Sequence, residues 1–531
     1  MKAPAARGIN DARLKKKLGW FSLASMAFTT MMGSGWLLAS HYAAQTAGPL
    51  ALVSWLVAGA ATALVGLVYS HLGVAWPLAG GNVRWPRLTS GPLVGAIVGW
   101  AAFVQISVAT PGETTAIIQY VSSYWPGLFA GGRLTPLGLL LAVVLLVVFV
   151  VLNYFGVVLL ARVNNVLVVF KVLVPLVTVV LFLASGFGSH SIDAGGGWAP
   201  YGMGATLTAI TSAGLLFSFA GVMTPAVMSG EARNPRRDVP LGMFAAIAAV
   251  LTLYIGLQVA YLVGVPPGLV AATGWSGVDF RSPFAQIAVL LSLHWLGTLL
   301  VVDSVVAPAG TLFTSTGWKA RVTYGLAEDR MLPSRVSGVH SGSGIPRRAL
   351  LVNLAVAIFF LLVFQSWHEL VKVAGFFLAV VYAGASVAAG TIDLHPGRTD
   401  ERPWLRYAPV FSGLSFIVSA LLIFWAGWRN GRDGFIILAV LFLVYLAANH
   451  LGSHRRPWRE IRDGAWFGVF LAADVLISLL GTYGGLGWIR EPWGSVLVAV
   501  VAVLCYRWGR ARSAAHIRSQ VPVVAEAGVT A

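Results

Sequence analysis

Charge is scarce in this sequence: Asp, Glu, Lys and Arg together supply 10% of its 531 residues. Soluble globular chains carry roughly 25%, so this composition cannot build a water-facing surface. Long polar stretches are missing as well, which excludes a string of soluble domains. Cysteine is limited to Cys505, so neither an intrachain disulfide nor a paired-cysteine metal site is available. No Walker A, HExxH or Rossmann fingerprint occurs. The chain is therefore expected to be no enzyme, to need no cofactor and to hold no metal, and an ATP-driven machine made of this chain alone is excluded.

What the sequence has in abundance is apolar length. Hydrophobic residues make up 57% of it, and the mean hydropathy is +0.80. Apolar runs long enough to cross a bilayer recur along the whole chain and divide it into about fourteen segments. The eighth, 284–316, is long enough to begin with a re-entrant or interfacial piece. The expected fold is all-α and integral to the membrane. A net charge of +17 would suit nucleic acid, but the basic residues collect in alternate loops. Arg233, Arg236 and Arg237 follow the sixth span, and the run from Lys319 to Arg348 is read as the loop after the eighth. Only Arg133, Arg281, Arg429, Arg432 and Arg490 fall in the opposite set of loops. This alternation predicts a multi-pass protein of the cell membrane with both termini in the cytoplasm, a lipid environment and no nucleic-acid partner; it says nothing about oligomeric state. Residues 1–17 read as a cytoplasmic segment, and 511–531 as a cytoplasmic, disordered tail.

Two spans are interrupted. The first carries Gly33-Ser34-Gly35 at its middle, and the sixth carries Phe217-Ser218-Phe219-Ala220-Gly221. Each glycine weakens a helix by about 1 kcal/mol relative to alanine. In lipid the freed backbone groups need partners, so a break survives only where it lines a cavity. Exposed N–H groups there suit a carboxylate, and exposed carbonyls suit an ammonium. The breaks lie five spans apart, the pattern of a transporter built on inverted repeats. Close helix packing by small residues would account for either break alone.

Ionisable residues inside spans cost roughly 2.5–3.5 kcal/mol each on insertion scales. Glu113, Lys171 and Asp303 stand out as proton-coupling candidates, with Glu113 also a substrate-binding candidate. A static salt bridge is the competing role for Lys171. Asp474 is taken as structural, and His41, His71 and His294 as interfacial residues at span ends.

These residues together resemble the amino acid–polyamine–organocation superfamily. Gly33-Ser34-Gly35 resembles its first-helix break, and Phe217 to Gly221 followed by Gly230-Glu231-Ala232-Arg233-Asn234-Pro235 resembles its sixth-helix signature. The stretch from Arg321 to Pro333, RVTYGLAEDRMLP, and Pro77-Leu78-Ala79-Gly80-Gly81 resemble two of its cytoplasmic segments. Within the superfamily the chain is similar to bacterial aspartate–proton symporters, through Gly33 to Leu37, Gly66-Leu67-Val68-Tyr69, Glu113 with Thr115, and Trp425-Ala426-Gly427-Trp428. Val222-Met223-Thr224-Pro225 departs from their pattern.

The resemblance implies a LeuT-like core over 18–393, two inverted five-helix repeats at 18–188 and 204–393, with four additional peripheral helices at 394–510. It implies that N–H groups of Ser34 and Gly35 hold a substrate carboxylate and that carbonyls near Met31 and Phe217 hold its ammonium. Met31, Gly33, Ser34, Gly35, Glu113, Phe217, Ser218, Phe219, Ala220 and Gly221 then form the binding site, with Phe217 as an aromatic gate. Lys171 would fill the place of a sodium ion, with Ser304 and Asp303 as neighbours. The function this supports is proton-coupled symport of an amino acid, with aspartate or glutamate as candidates. A cationic amino acid or polyamine transporter or exchanger is the alternative, because Glu113 and Asp303 would attract a cation. An ion-translocating subunit of a respiratory complex would need a file of buried lysines and histidines, which the sequence does not offer.

Overall fold

Residues 17–78, 80–154, 158–328, 331–332, 334–338, 347–396, 402–451 and 457–528 are described by the computed structural model. Parts of the expected loop motifs, namely Ala79, Asp329, Arg330 and Pro333, lie outside them, as do residues 1–16. Without water to pair with, backbone groups in lipid must satisfy one another within a segment, and the described chain is almost wholly helical. The helices α1 (Trp20–Met31) and α2 (Gly35–Ala47) form one interrupted rod, followed by α3 (Ala51–Ala75), α4 (Gly81–Ser90), α5 (Pro92–Val121), α6 (Pro136–Tyr154) and α7 (Val158–Ser185). The short α8 (His190–Ala194) precedes a second interrupted rod of α9 (Gly202–Ser212), α10 (Leu215–Ser218) and α11 (Thr224–Val227). Next come α12 (Pro235–Gly264), α13 (Pro267–Gly277), α14 (Pro283–Leu290), α15 (His294–Glu328), α16 (Arg347–Val363) and α17 (Trp367–Ala389). The series ends with α18 (Ala408–Trp425), α19 (Trp428–Leu451), α20 (Pro457–Leu480) and α21 (Trp493–Gly528). A two-residue hairpin between α5 and α6 turns at Gly131 and Gly132, both left-handed as such a turn requires.

Burial shows which helices face lipid. On α6 the buried residues are Gly138, Ala142, Leu146 and Val150, a stripe of every fourth position, while Leu137, Leu140, Val144, Val148 and Val151 are exposed. A stripe of exposed valines and leucines this long belongs in hydrocarbon, where it costs nothing. On α7 the inward stripe is Lys171, Val174, Thr178 and Phe182, so the lysine sits on the packed face. Helices α5 and α17 pack against each other at the centre and are buried on nearly all sides. Small residues permit the close approach: a Cβ on Gly242 of α12 would stand 2.9 Å from the Trp20 carbonyl oxygen of α1. Among the described residues nine helical stretches are long and apolar enough to cross a membrane.

Several expectations are corrected here. The eighth apolar run begins with a separate short helix, α14, but it does not end at 316: α15 continues to Glu328, so Lys319 is a helical residue with 4% of its surface exposed and no loop residue. The tail is not disordered from 511: α21 runs on through it, Ser513 hydrogen-bonds Ser90 at 2.8 Å, and Ile517 is fully buried. His41 and His71 are buried within the protein; His41 Nδ1 shares a 2.8 Å hydrogen bond with the Tyr261 hydroxyl, and His71 Nε2 lies 3.3 Å from Asp393 Oδ2. The polar residues flanking each histidine in space were invisible in its sequence neighbourhood.

Candidate functional site

The two helix breaks lie against each other. Between α1 and α2 the chain leaves helical geometry at Met32 and re-enters it at Gly35. The second rod breaks at Gly214, which is left-handed (φ 82°) and so close to the Trp367 ring that a Cβ would stand 2.8 Å from it. Only glycine meets both demands. From Leu216 to Thr224 the turns are tight, with Phe219, Ala220, Val222 and Thr224 N–H groups each donating three residues back. Gly221 faces α1 so closely that a Cβ would stand 2.9 Å from the Met31 nitrogen, and a Cβ on Gly35 would collide with the Ser218 hydroxyl. The Tyr254 hydroxyl of α12 joins the breaks, 2.8 Å from the Met31 carbonyl oxygen and 3.2 Å from that of Ser218.

Beside the breaks is a cavity of about 410 Å³, within the range of roughly 300–1,000 Å³ typical of small-molecule sites. The first rod lines it with Met26, Thr30, Met31, Gly33 and Gly35, α5 with Gln105, Ile106, Ala109 and Glu113, and the second rod with Phe217, Ala220, Gly221 and Met223. Asn153 of α6 and Thr311, Ser315 and Lys319 of α15 complete the polar part of the wall. These residues extend from the breaks toward the end of the molecule where α1 starts. The opposite end is plugged. Trp367 Nε1 donates to Ser34 Oγ at 2.8 Å, the Phe217 ring meets Trp367 edge-on at 6.3 Å, and Tyr42 stacks on Trp367 and His368 at 5.6 and 4.2 Å. Trp367 is set at the first turn of α17 by an N-cap, in which Ser366 Oγ accepts the Glu369 N–H at 3.1 Å.

Charged groups cluster around this cavity. The Glu113 carboxylate accepts the Ser34 N–H at 2.8 Å. Lys171 donates to the Thr29 carbonyl oxygen at 3.1 Å and to Thr311 Oγ1 at 2.8 Å, so one ammonium ties α7 to α1 and α15. Lys319 donates to Thr110 Oγ1. Asp303 is fully buried on α15, and neither of its carboxylate oxygens has a hydrogen-bond partner among the described residues. No group of three or more His, Cys, Asp or Glu able to hold a metal occurs among the described residues.

Comparison with known proteins fits this architecture. Residues 18–449 match the model of the amino acid permease family. The chain belongs to that family. It is 34% identical to the glutamate/serine transporter AimA of Bacillus subtilis, over 93% of this chain and 94% of that one. It is 31% identical to the aspartate-proton symporter of the same organism, over 94% and 97% of the two chains. Its fold is similar to that of the manganese transporter of Eremococcus coleocola, with a TM-score of 0.53 at 14% identity over 94% and 99% of the chains. The permease is thus a multi-pass membrane transporter.

Of the residues expected at the site, Met31, Gly33, Gly35, Glu113, Phe217, Ala220 and Gly221 line the cavity. Ser34, Ser218 and Phe219 do not. The Ser34 N–H, expected to hold a substrate carboxylate, is taken by Glu113, because the neighbouring Gly33 lets that side chain reach the break. Among the described residues no group accepts the Gly35 N–H, which leaves it as one donor on the cavity wall, beside those of Gly221 and Met223. Ser218 Oγ turns back to the Gly214 carbonyl, and Phe219 packs edge-on against Trp55 and Tyr254. The Met31 carbonyl, expected to meet an ammonium, already accepts the Tyr254 hydroxyl, though a carbonyl keeps a second lone pair. The hydrogen-bond partners of Lys171 are Thr29 and Thr311; the expected neighbour Asp303 acts on it electrostatically without contact, as Glu113 does, and the Ser304 hydroxyl donates to the Val301 carbonyl instead. No ion pair within 4.0 Å joins Lys171 to Glu113 or Asp303 among the described residues, against a static salt bridge.

The permease also brings residues to the site that sequence reading missed: Trp367, Tyr254, Thr110, Thr311 and Lys319. Trp367 carried a signal, the N-cap sequence Ser-Trp-His-Glu. Thr311, Ser315, Lys319 and Thr323 carried another, a polar residue every fourth position along one helix face.

Proposed function

We propose that the permease is a proton-coupled symporter of an acidic amino acid, aspartate or glutamate. The observation that carries this reading is the cavity at the breaks, which offers an unoccupied backbone donor at Gly35, an anionic side chain at Glu113 and a cationic one at Lys319. Gly35 N–H suits the substrate α-carboxylate, and Glu113, with the Met31 carbonyl, suits its ammonium. The two relatives' names, a glutamate/serine transporter and an aspartate-proton symporter, point the same way. Lys171 takes the part of a coupling group, holding α1, α7 and α15 together through two hydrogen bonds that proton release would weaken. The wider arrangement belongs to the same proposal: about fourteen spans, two inverted five-helix repeats and four peripheral helices in the cell membrane, both termini cytoplasmic, with the cavity open to the cytoplasm.

Glu113 on the wall favours the competing reading, a carrier or exchanger of cationic amino acids or polyamines. Uptake of labelled aspartate, glutamate, serine, lysine and putrescine into proteoliposomes separates the two. Uptake of aspartate or glutamate is expected; uptake of lysine or putrescine without either acidic amino acid would establish the rival.

A further inference from the structure

Lys319 is a buried lysine with no carboxylate in contact; Glu113, on the same wall, acts on it electrostatically from beyond ion-pairing distance. It is 4% exposed, it lies on the cavity wall, and its ammonium donates to a neutral hydroxyl, Thr110 Oγ1. No carboxylate stands within ion-pairing distance of it among the described residues. Glu113, the acidic side chain on the same wall, commits an oxygen to the Ser34 N–H. Burying an ammonium away from water costs several kcal/mol unless an anion or a good set of acceptors meets it, and one threonine hydroxyl is a thin substitute. A charge kept in such a place is matched by something that enters and leaves.

The geometry points to that occupant: we propose that Lys319 is the specificity residue of the permease, binding the side-chain carboxylate of the acidic substrate. Thr110 and Glu113 are three residues apart on α5, so their side chains emerge about 5–6 Å apart on one face. The ammonium that rests on Thr110 and the carboxylate of Glu113 therefore belong to one cavity wall, the first suited to a substrate's side-chain carboxylate and the second to its α-ammonium. Gly35 N–H supplies the remaining site, for the α-carboxylate. Thr110 acts as the rest position of Lys319 when the cavity is empty. The same cation repels lysine, arginine and polyamines, so it selects against the wrong substrates as well as for the right one.

This inference rests on the acidic-substrate reading, and the test separates the two. Purified permease and its Lys319→Gln and Lys319→Arg variants are titrated with aspartate, with glutamate and with glutamine, the last two differing only at the side-chain terminus, and thermal stabilisation is read. Wild type is expected to prefer glutamate over glutamine by tenfold or more, the scale of one charge-assisted hydrogen bond. Lys319→Gln should bring the two ligands to within about twofold by weakening glutamate alone, the expected mark of a lost charge-assisted contact, and Lys319→Arg should keep the preference. If wild type responds to neither aspartate nor glutamate, the substrate class itself is wrong and the role of Lys319 falls with it. If wild type prefers glutamate and Lys319→Gln keeps that preference, or loses glutamate and glutamine alike, Lys319 is not the specificity residue.

Discussion

Glu113 is where the site departs most from a simple broken-helix pocket. Its carboxylate sits on a backbone N–H at the very break where a substrate carboxylate was expected. A carboxylate there is an internal anion whose protonation changes what the break presents, since a neutral carboxyl accepts that hydrogen bond more weakly. Glu113→Gln keeps the size and an acceptor oxygen for Ser34 but removes the titration. The variant should insert normally and show uptake that varies less between acidic and neutral pH than that of wild type; uptake at several external pH values checks this. A pH profile and substrate range identical to wild type would assign Glu113 to structure alone.

At the scale of helices, the site is made by contact between the two breaks. Gly221 meets the backbone of α1, which cannot give way as a side chain could. Gly221→Val should cost about 1–3 kcal/mol of stability through overpacking and reduce uptake far more than that cost implies, measured by thermal unfolding beside transport. Lys171 works across three helices. Interhelical hydrogen bonds in membranes are worth about 0.6 kcal/mol on average, so Lys171→Met, which removes two, should lower stability by only about 1 kcal/mol while abolishing gradient-driven accumulation. Full accumulation by that variant would remove Lys171 from the coupling.

Both breaks were legible in the sequence, because glycines in the middle of an apolar run weaken the helix where its neighbours favour it, and so was the depth of Lys171. Lys319 was not. Hydropathy falls where the polar face of α15 begins, although the helix continues for another three turns, so the residue looked like loop. The occupation of the Ser34 N–H was hidden for a different reason: it depends on a side chain 79 positions away reaching past Gly33. Local pattern locates a break, but only the packing of other helices decides which of its backbone groups remain free.

At the scale of the whole molecule, the cavity extends from the breaks toward one end, and an aromatic plug of Tyr42, Phe217, Trp367 and His368 closes the other. That asymmetry is what one half of an alternating-access cycle requires. A proton gradient drives such a cycle only if protonation favours one of its states over the other. The most direct measurement is accumulation of labelled glutamate in proteoliposomes, in sodium-free buffer, with an imposed pH gradient. The account predicts uptake above equilibrium while the gradient lasts, collapse on adding a protonophore, and no change when sodium is restored. Equilibration without accumulation, or accumulation only in the presence of sodium, would contradict it.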